Sequence, residues 1–248
     1  MTVYDDLTNF TEAPWGELGR SATLAVVALW SKFVLNVMNK TTIVNHEEFL
    51  RHIMQRPEDV GLITVSNHTS QFFQSGKALP IERGAGPDQP VMHAVARVVA
   101  LGRWLHIFPE GKVNYTGQLA PLRWGVGKII CDAIGRHGAK DPVVLPLYHS
   151  GMGEVLPKNS TLPRWGKQVT VVVGQPVDLS DLTCNCNKEG VDQREVWRQI
   201  TVRIGHALKE LERQAPPNRD QVPRNHAGEQ RRSSEGSLPA GLGESKAE

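Results

Sequence analysis

The chain has 248 residues, 40% of them hydrophobic and 22% charged, with a formal net charge of +2, which provides for one sizeable core and a tail. That charge balance, with no dense basic block interleaved with aromatics, excludes an obligate nucleic-acid binder. The three cysteines, Cys131 alone and Cys184 with Cys186 in "CNC", have the spacing of neither a disulfide framework nor a zinc site. Free or buried thiols in a reducing compartment are expected.

The first twenty residues are acidic without an apolar core, unlike a secretory signal, and lack the Arg-rich look of a transit peptide. Residues 21–38, "SATLAVVALWSKFVLNVM", are the most apolar stretch, with Leu24, Val27, Trp30, Val34 and Val37 at helical spacing. The uninterrupted run stops at Ser31 and Lys32, short of the ~20 residues that cross a bilayer. A membrane-interface helix is the favoured expectation, with a core helix or a poor spanning one left open. "NHEEFLRHIMQR" predicts a helix capped by Asn45, with Glu48 placed for a capping box.

Strands are predicted at 61–66 ("GLITVS"), 104–108 ("WLHIF"), 143–147 ("VVLPL") and 169–174 ("VTVVVG"), and helices at 122–134 and 192–213. Strands alternating with helices give an α/β fold, in which active residues gather where strands end. After Pro216 apolar periodicity vanishes among Gly, Pro, Ser and charges, so residues 214–248 are expected to be a disordered tail. The expected organisation is an N-terminal segment (1–20), the interface helix (21–38), a single domain (39–213) and the tail.

Three strand-end motifs carry chemistry. His68 follows "ITVSN", where an exposed imidazole can act as a base, although a turn histidine needs no such role. Glu110, Gly111 and Lys112 follow "WLHIFP"; the glycine allows close approach of a ligand and the lysine suits a phosphate, although most such turns are only turns. Arg83 beside Gly84, with Lys77 nearby, can grip a phosphate by fork geometry and backbone amides, against the default of a solvated arginine. No Gly-x-Ser-x-Gly elbow and no phosphate loop are present.

Together "SNH" after a strand, "LP..RG" and "FPEG" resemble the successive blocks of the glycerolipid acyltransferase family. "HIFPEGKVN", "RWGVGKII", "LPLYHSGMGEVLP" and "PRWGKQVTVVVGQPV" narrow the likeness to the phospholipid–lysophospholipid transacylases that remodel cardiolipin in mitochondrial membranes. The likeness runs from about Asn39 to Arg213. It implies a glycerol-3-phosphate acyltransferase-like sheet flanked by helices, with His68 as base and Glu110 as a catalytic residue in the block that positions the acyl acceptor. Arg83, Gly84, Gly111 and Lys112 would hold lipid phosphate and acyl acceptor. It also implies phospholipid and lysophospholipid substrates at a membrane surface, with no cofactor, metal or nucleic acid called for and oligomeric state left open.

One departure stands out. The family writes its first block as His, four residues, Asp, and the Asp position is Phe73 here; no Asp or Glu occurs from 69 to 81. "NHTS" runs directly into what resembles the Arg-Gly block, so a deletion after Ser70 is expected, leaving the sheet incomplete and its edges exposed. Loss of the orienting acid lowers turnover roughly 10⁴-fold in serine proteases. Weak or absent activity is therefore expected, unless Glu82 or Asp88 stands in. The alternative is a non-catalytic, membrane-associated relative that binds lipid or a partner.

Overall fold

In a computed structural model, which describes residues 16–70, 81–82 and 86–217, five strands form one sheet in the order β1-β5-β4-β2-β3. They are β1 (Lys40–Val44), β2 (Leu62–Ser66), β3 (Trp104–Ile107), β4 (Val143–Ser150) and β5 (Gln168–Val173). β2 is an interior strand, buried along its whole length, as its continuous run "LITVS" requires of a strand covered on both faces. It pairs in parallel with β3 on one side and β4 on the other, whereas β4 and β5 are antiparallel.

The pleat divides the core in two. Ile63, Val65 and Val144 face a layer built from α3 (Pro90–Ala100), α4 (Gly125–His137) and α7 (Gln193–Gln214), through Val95, Val99, Ile129, Ile130, Ile200, Ile204 and Leu208. Leu62, Leu145 and Val173 face the opposite side, where Phe49 and Ile53 of α2 (His46–Met54) cover them. Both the predicted α/β class and the sheet flanked by helices hold. The four expected strands and the two long helices form within a few residues of their predicted ends.

Three local expectations need correction. Asn45 takes a left-handed conformation and makes no cap; its side chain instead donates to Val173 O at 2.9 Å, tying α2 to the sheet. Glu48 turns to Arg51 and His52 rather than closing a capping box. β1 and α3, absent from the sequence reading, are both present. Pro90 sits in the first turn of α3, where proline's missing N–H costs nothing, but its valine-rich run reads equally well as a strand.

The N-terminal apolar stretch is continuous helix. α1 (Gly16–Phe33) runs into a π-helical turn, Val34–Met38, with no break at Ser31 or Lys32. Its end is packed: Val34 and Met38 join Met152, Val155 and Val169, while Val26, Leu29, Trp30, Phe33 and Val37 are exposed. The expected stripe is therefore not one buried face, since Val34 is covered and Trp30 and Val37 are not. With a mean hydropathy of 1.5, the window Ser21–Met38 is long and apolar enough to cross a membrane, by length and composition.

The cysteines also differ from expectation. Cys131 in α4 is bonded to Cys186, between the short helix α6 (Ser180–Thr183) and α7, leaving Cys184 as an exposed thiol. Sequence spacing hides this pair because 55 residues separate its members. The free or buried thiols expected at Cys131 and Cys186 are thus corrected to a bonded pair, a kind of bond that persists in oxidising compartments. Closing a loop of that length stabilises by about 4 kcal/mol in the chain-entropy account. Cys186→Ala is thus expected to lower the denaturant midpoint markedly, and Cys184→Ser to leave it unchanged. Equal midpoints for wild type and Cys186→Ala would contradict the pairing.

Candidate active site

The site is made where three parallel strands end. β2 and β3 pair with a constant offset, Leu62 opposite Trp104 through Val65 opposite Ile107. Continuing that register past both strands brings His68 opposite Glu110, and the His68 N–H donates to Glu110 Oε1 at 2.7 Å. On the other side β4 brings His149. The Asn67 side chain bridges to it as a backbone mimic: Nδ2 donates to His149 O at 2.8 Å and Oδ1 accepts from His149 N at 2.9 Å. The ends of a parallel sheet, with neighbours reached on both sides of one strand, are where α/β proteins place ligands.

Glu110 is buried, and three N–H donors converge on it. Besides His68 N, the Asn114 side chain donates to Oε2 at 2.8 Å and Ala120 N donates at 3.1 Å. Asn114 N returns a bond to His68 O at 2.6 Å, so both backbone polar groups of His68 are held by the turn after β3. Burial pushes the Glu110 carboxyl above the ordinary range, and the donors from His68, Asn114 and Ala120 pull it back. The Glu110 oxygens thus engage the backbone of His68, not its ring.

The His68 ring stacks on Phe108, with centroids 4.1 Å apart and planes 16° from parallel. Phe108 in turn meets His106 edge-on at 4.6 Å. His106, on edge strand β3, has Nδ1 2.8 Å from Thr64 Oγ1 and Nε2 3.2 Å from Ser66 Oγ. These contacts fix the plane on which the His68 imidazole rests.

His149 is almost fully buried, and burial holds its pKa down to about 4, with His106 and His68 adding to the effect and its Asn67 contact opposing it. An unfolded chain would protonate it nearer 6.5. Between those values the unfolded state binds more protons, so stability is complete above the window and is lost as pH falls through it. The slope contributed by one histidine is at most about 1.4 kcal/mol per pH unit. His149→Gln is expected to flatten the acid limb of stability against pH between about 6.5 and 4; an unaltered limb would show that another group sets it. Glu110, whose carboxyl is raised, acts in the opposite sense and remains in both proteins.

Of the residues singled out from sequence, His68 and Glu110 are brought together. Gly111 has φ +70°, a left-handed conformation that glycine allows, and Lys112 beside it is exposed and forms no ion pair among the described residues. Arg83, Gly84, Lys77 and Phe73 lie outside the described residues, but the flanks of the Arg-Gly pair are clasped by one side chain: Gln89 accepts from Glu82 N and donates to Glu82 O and Gly86 O. Asp88, a possible stand-in acid, has Oδ1 3.2 Å from the Lys128 Nζ. Asn67, His106, Asn114 and His149 were missed. "SNH", "HIFPEGKVN" and "LPLYHSGMGEVLP" contain all four, but their partners depend on strand register, which spacing does not reveal.

The acyltransferase family model matches residues 63–150, from β2 to the end of β4, and so encloses His68, Glu110 and His149. Tafazzin from Drosophila melanogaster is 33% identical over 228 aligned positions, covering 76% of this chain and 59% of that protein. Taffazin from Dictyostelium discoideum is 31% identical over 162 positions, covering 60% of this chain and 55% of that protein. N-acylphosphatidylethanolamine synthase from Arabidopsis thaliana is 28% identical, covering 73% and 78%. The chain thus spans little more than half the length of the two tafazzins it matches. A crystal structure of an LPA acyltransferase from Thermotoga maritima aligns with TM-score 0.46 at 17% identity, covering 77% and 82%. Residues 63–150 thus match the acyltransferase family model, and the chain that carries them is similar to the tafazzins.

Proposed function

We propose that the chain is a membrane-attached phospholipid–lysophospholipid transacylase with slow turnover, in the manner of the tafazzins it resembles. The observation that carries this reading is His68, fixed just beyond the end of the buried strand β2 by bonds to both its N–H and its C=O from the Glu110–Asn114 turn. In the reaction, the imidazole takes the proton of a lysophospholipid hydroxyl, whose oxygen attacks the acyl carbonyl of a donor phospholipid. The tetrahedral oxyanion then collapses, releasing the donor's oxygen, which recovers the proton from the imidazolium. Glu110 acts as a positioning residue for the histidine. Gly111 and Lys112, with Arg83 and Gly84, would receive lipid phosphate. Residues 21–38 would hold the domain to a mitochondrial membrane, by analogy with the same relatives.

Two sequence facts support slow turnover. Phe73 stands at the family's Asp position. The alignment with the Drosophila protein is 228 positions long, more than the 76% of a 248-residue chain it takes up, so it opens gaps in this chain. Such a gap after Ser70 would remove part of the acyl groove, and β3 is accordingly an edge strand of the described sheet. The test is transfer of a labelled acyl chain from phospholipid to unlabelled lysophospholipid in vesicles, without acyl thioester. Slow transfer above a protein-free background supports the proposal. Vesicle binding without any transfer would overturn it in favour of the non-catalytic, lipid-binding reading that Phe73 also motivates.

A further inference from the structure

Two of the most exposed large apolar side chains lie in one short loop. Leu162 is 74% and Trp165 66% exposed, in the segment 156–167, "LPKNSTLPRWGK", between α5 (Met152–Val155) and β5. The segment has three cations, Lys158, Arg164 and Lys167, and no carboxylate. An exposed leucine and an exposed tryptophan three residues apart among cations form a segment suited to an anionic lipid interface, where indole rings partition and basic side chains meet phosphates.

The loop is built. Ser160 N donates to Pro157 O, Arg164 N to Val155 O, and Ser160 Oγ to Leu162 O, all within 3.0 Å. It is also fastened to the end of the apolar N-terminal helix. Gly166 N donates to Met38 O at 2.9 Å, and Lys40 N to Lys167 O at 2.9 Å. The Asn39 side chain joins the two, donating to Val34 O and accepting from Lys167 N. Exposed Val37 thus directly precedes the residues, Met38 to Lys40, to which the loop is bonded. On its other flank Lys158 Nζ lies 5.5 Å from the centre of the Tyr115 ring, on the turn that holds His68.

We propose that loop 156–167 is a second bilayer contact, inserting Leu162 and Trp165 into an anionic phospholipid surface while Lys158 and Arg164 meet its phosphates. It extends the membrane reading of residues 21–38, on which it rests for orientation. Two contacts, one at the helix end and one beside Tyr115, direct the strand ends that carry His68 toward the interface that holds the substrate.

The full chain in vesicles containing lipids with brominated acyl chains provides the test. Quenching attributable to Trp165, taken as the difference between wild type and Trp165→Phe, is expected. No difference would overturn the proposal. In flotation, Leu162→Ser with Trp165→Ser should weaken partition about ten-fold, the equivalent of roughly 1.4 kcal/mol. Arg164→Glu should weaken it on anionic vesicles and not on zwitterionic ones. Both side chains are exposed, so thermal melts should match wild type. A parallel Val26→Ser, Leu29→Ser variant separates the two contacts. Loss with this variant alone would overturn the loop and leave the helix reading intact, whereas loss with the loop variant alone would do the reverse.

Discussion

Glu110→Ala is expected to cost about 3–5 kcal/mol of folding free energy and to abolish His68-dependent turnover. The carboxylate is buried at the junction of three elements, accepting from His68 N, the Asn114 side chain and Ala120 N. Truncation leaves three donors without their acceptor and frees the turn that also holds His68 O. Glu110→Gln preserves volume but points an NH₂ group at one of those donors, so an intermediate loss is expected. Urea denaturation of the three proteins checks the order. A cost below about 1 kcal/mol for Glu110→Ala, within the range of an ordinary single hydrogen bond, would mean that the clamp does not organise the site.

The second large effect lies in α4, away from the proposed chemistry. Lys128 and Asp132 are each 1% exposed and pair at 2.7 Å. Arg136 Nε lies 3.0 Å from Asp132 Oδ1 and His93 Nδ1 3.2 Å from Oδ2. Lys128 Nζ also stands 4.9 Å above the Trp197 ring. Asp132→Ala is expected to destabilise by about 3–5 kcal/mol, because it strands a buried ammonium with only the exposed Asp88 for a partner. Replacing both, as Lys128→Met with Asp132→Leu, should be far milder, since the desolvation cost disappears with the attraction. Comparable losses in the single and double variants would contradict this reading.

The sequence made the sheet legible because its strands are short apolar runs ended by polar turns, and the long helices because their stripes repeat cleanly. β1 escaped because "KTTIV" is a mostly exposed edge strand with little apolar signature. α3 escaped because β-branched residues fill it, and its helical state is decided by packing on α4 and the sheet. At the site, His68 and Glu110 were legible as strand-end residues, but their contact was not. It follows from a parallel register that only the assembled sheet defines, as do the Asn67 bridge and His149. The cysteine pair escaped for the same reason: α4 and the distant turn that carries Cys186 meet only in the assembled fold.

The central claim, that this chain transfers acyl groups slowly through His68, is tested most directly by comparing wild type with His68→Ala in the labelled-acyl vesicle assay. Removal of a general base is expected to lower transfer by about 10²–10⁴, to the protein-free background, while vesicle binding and the melting temperature stay close to wild type. Equal transfer by the two proteins, at any rate above background, would contradict the account.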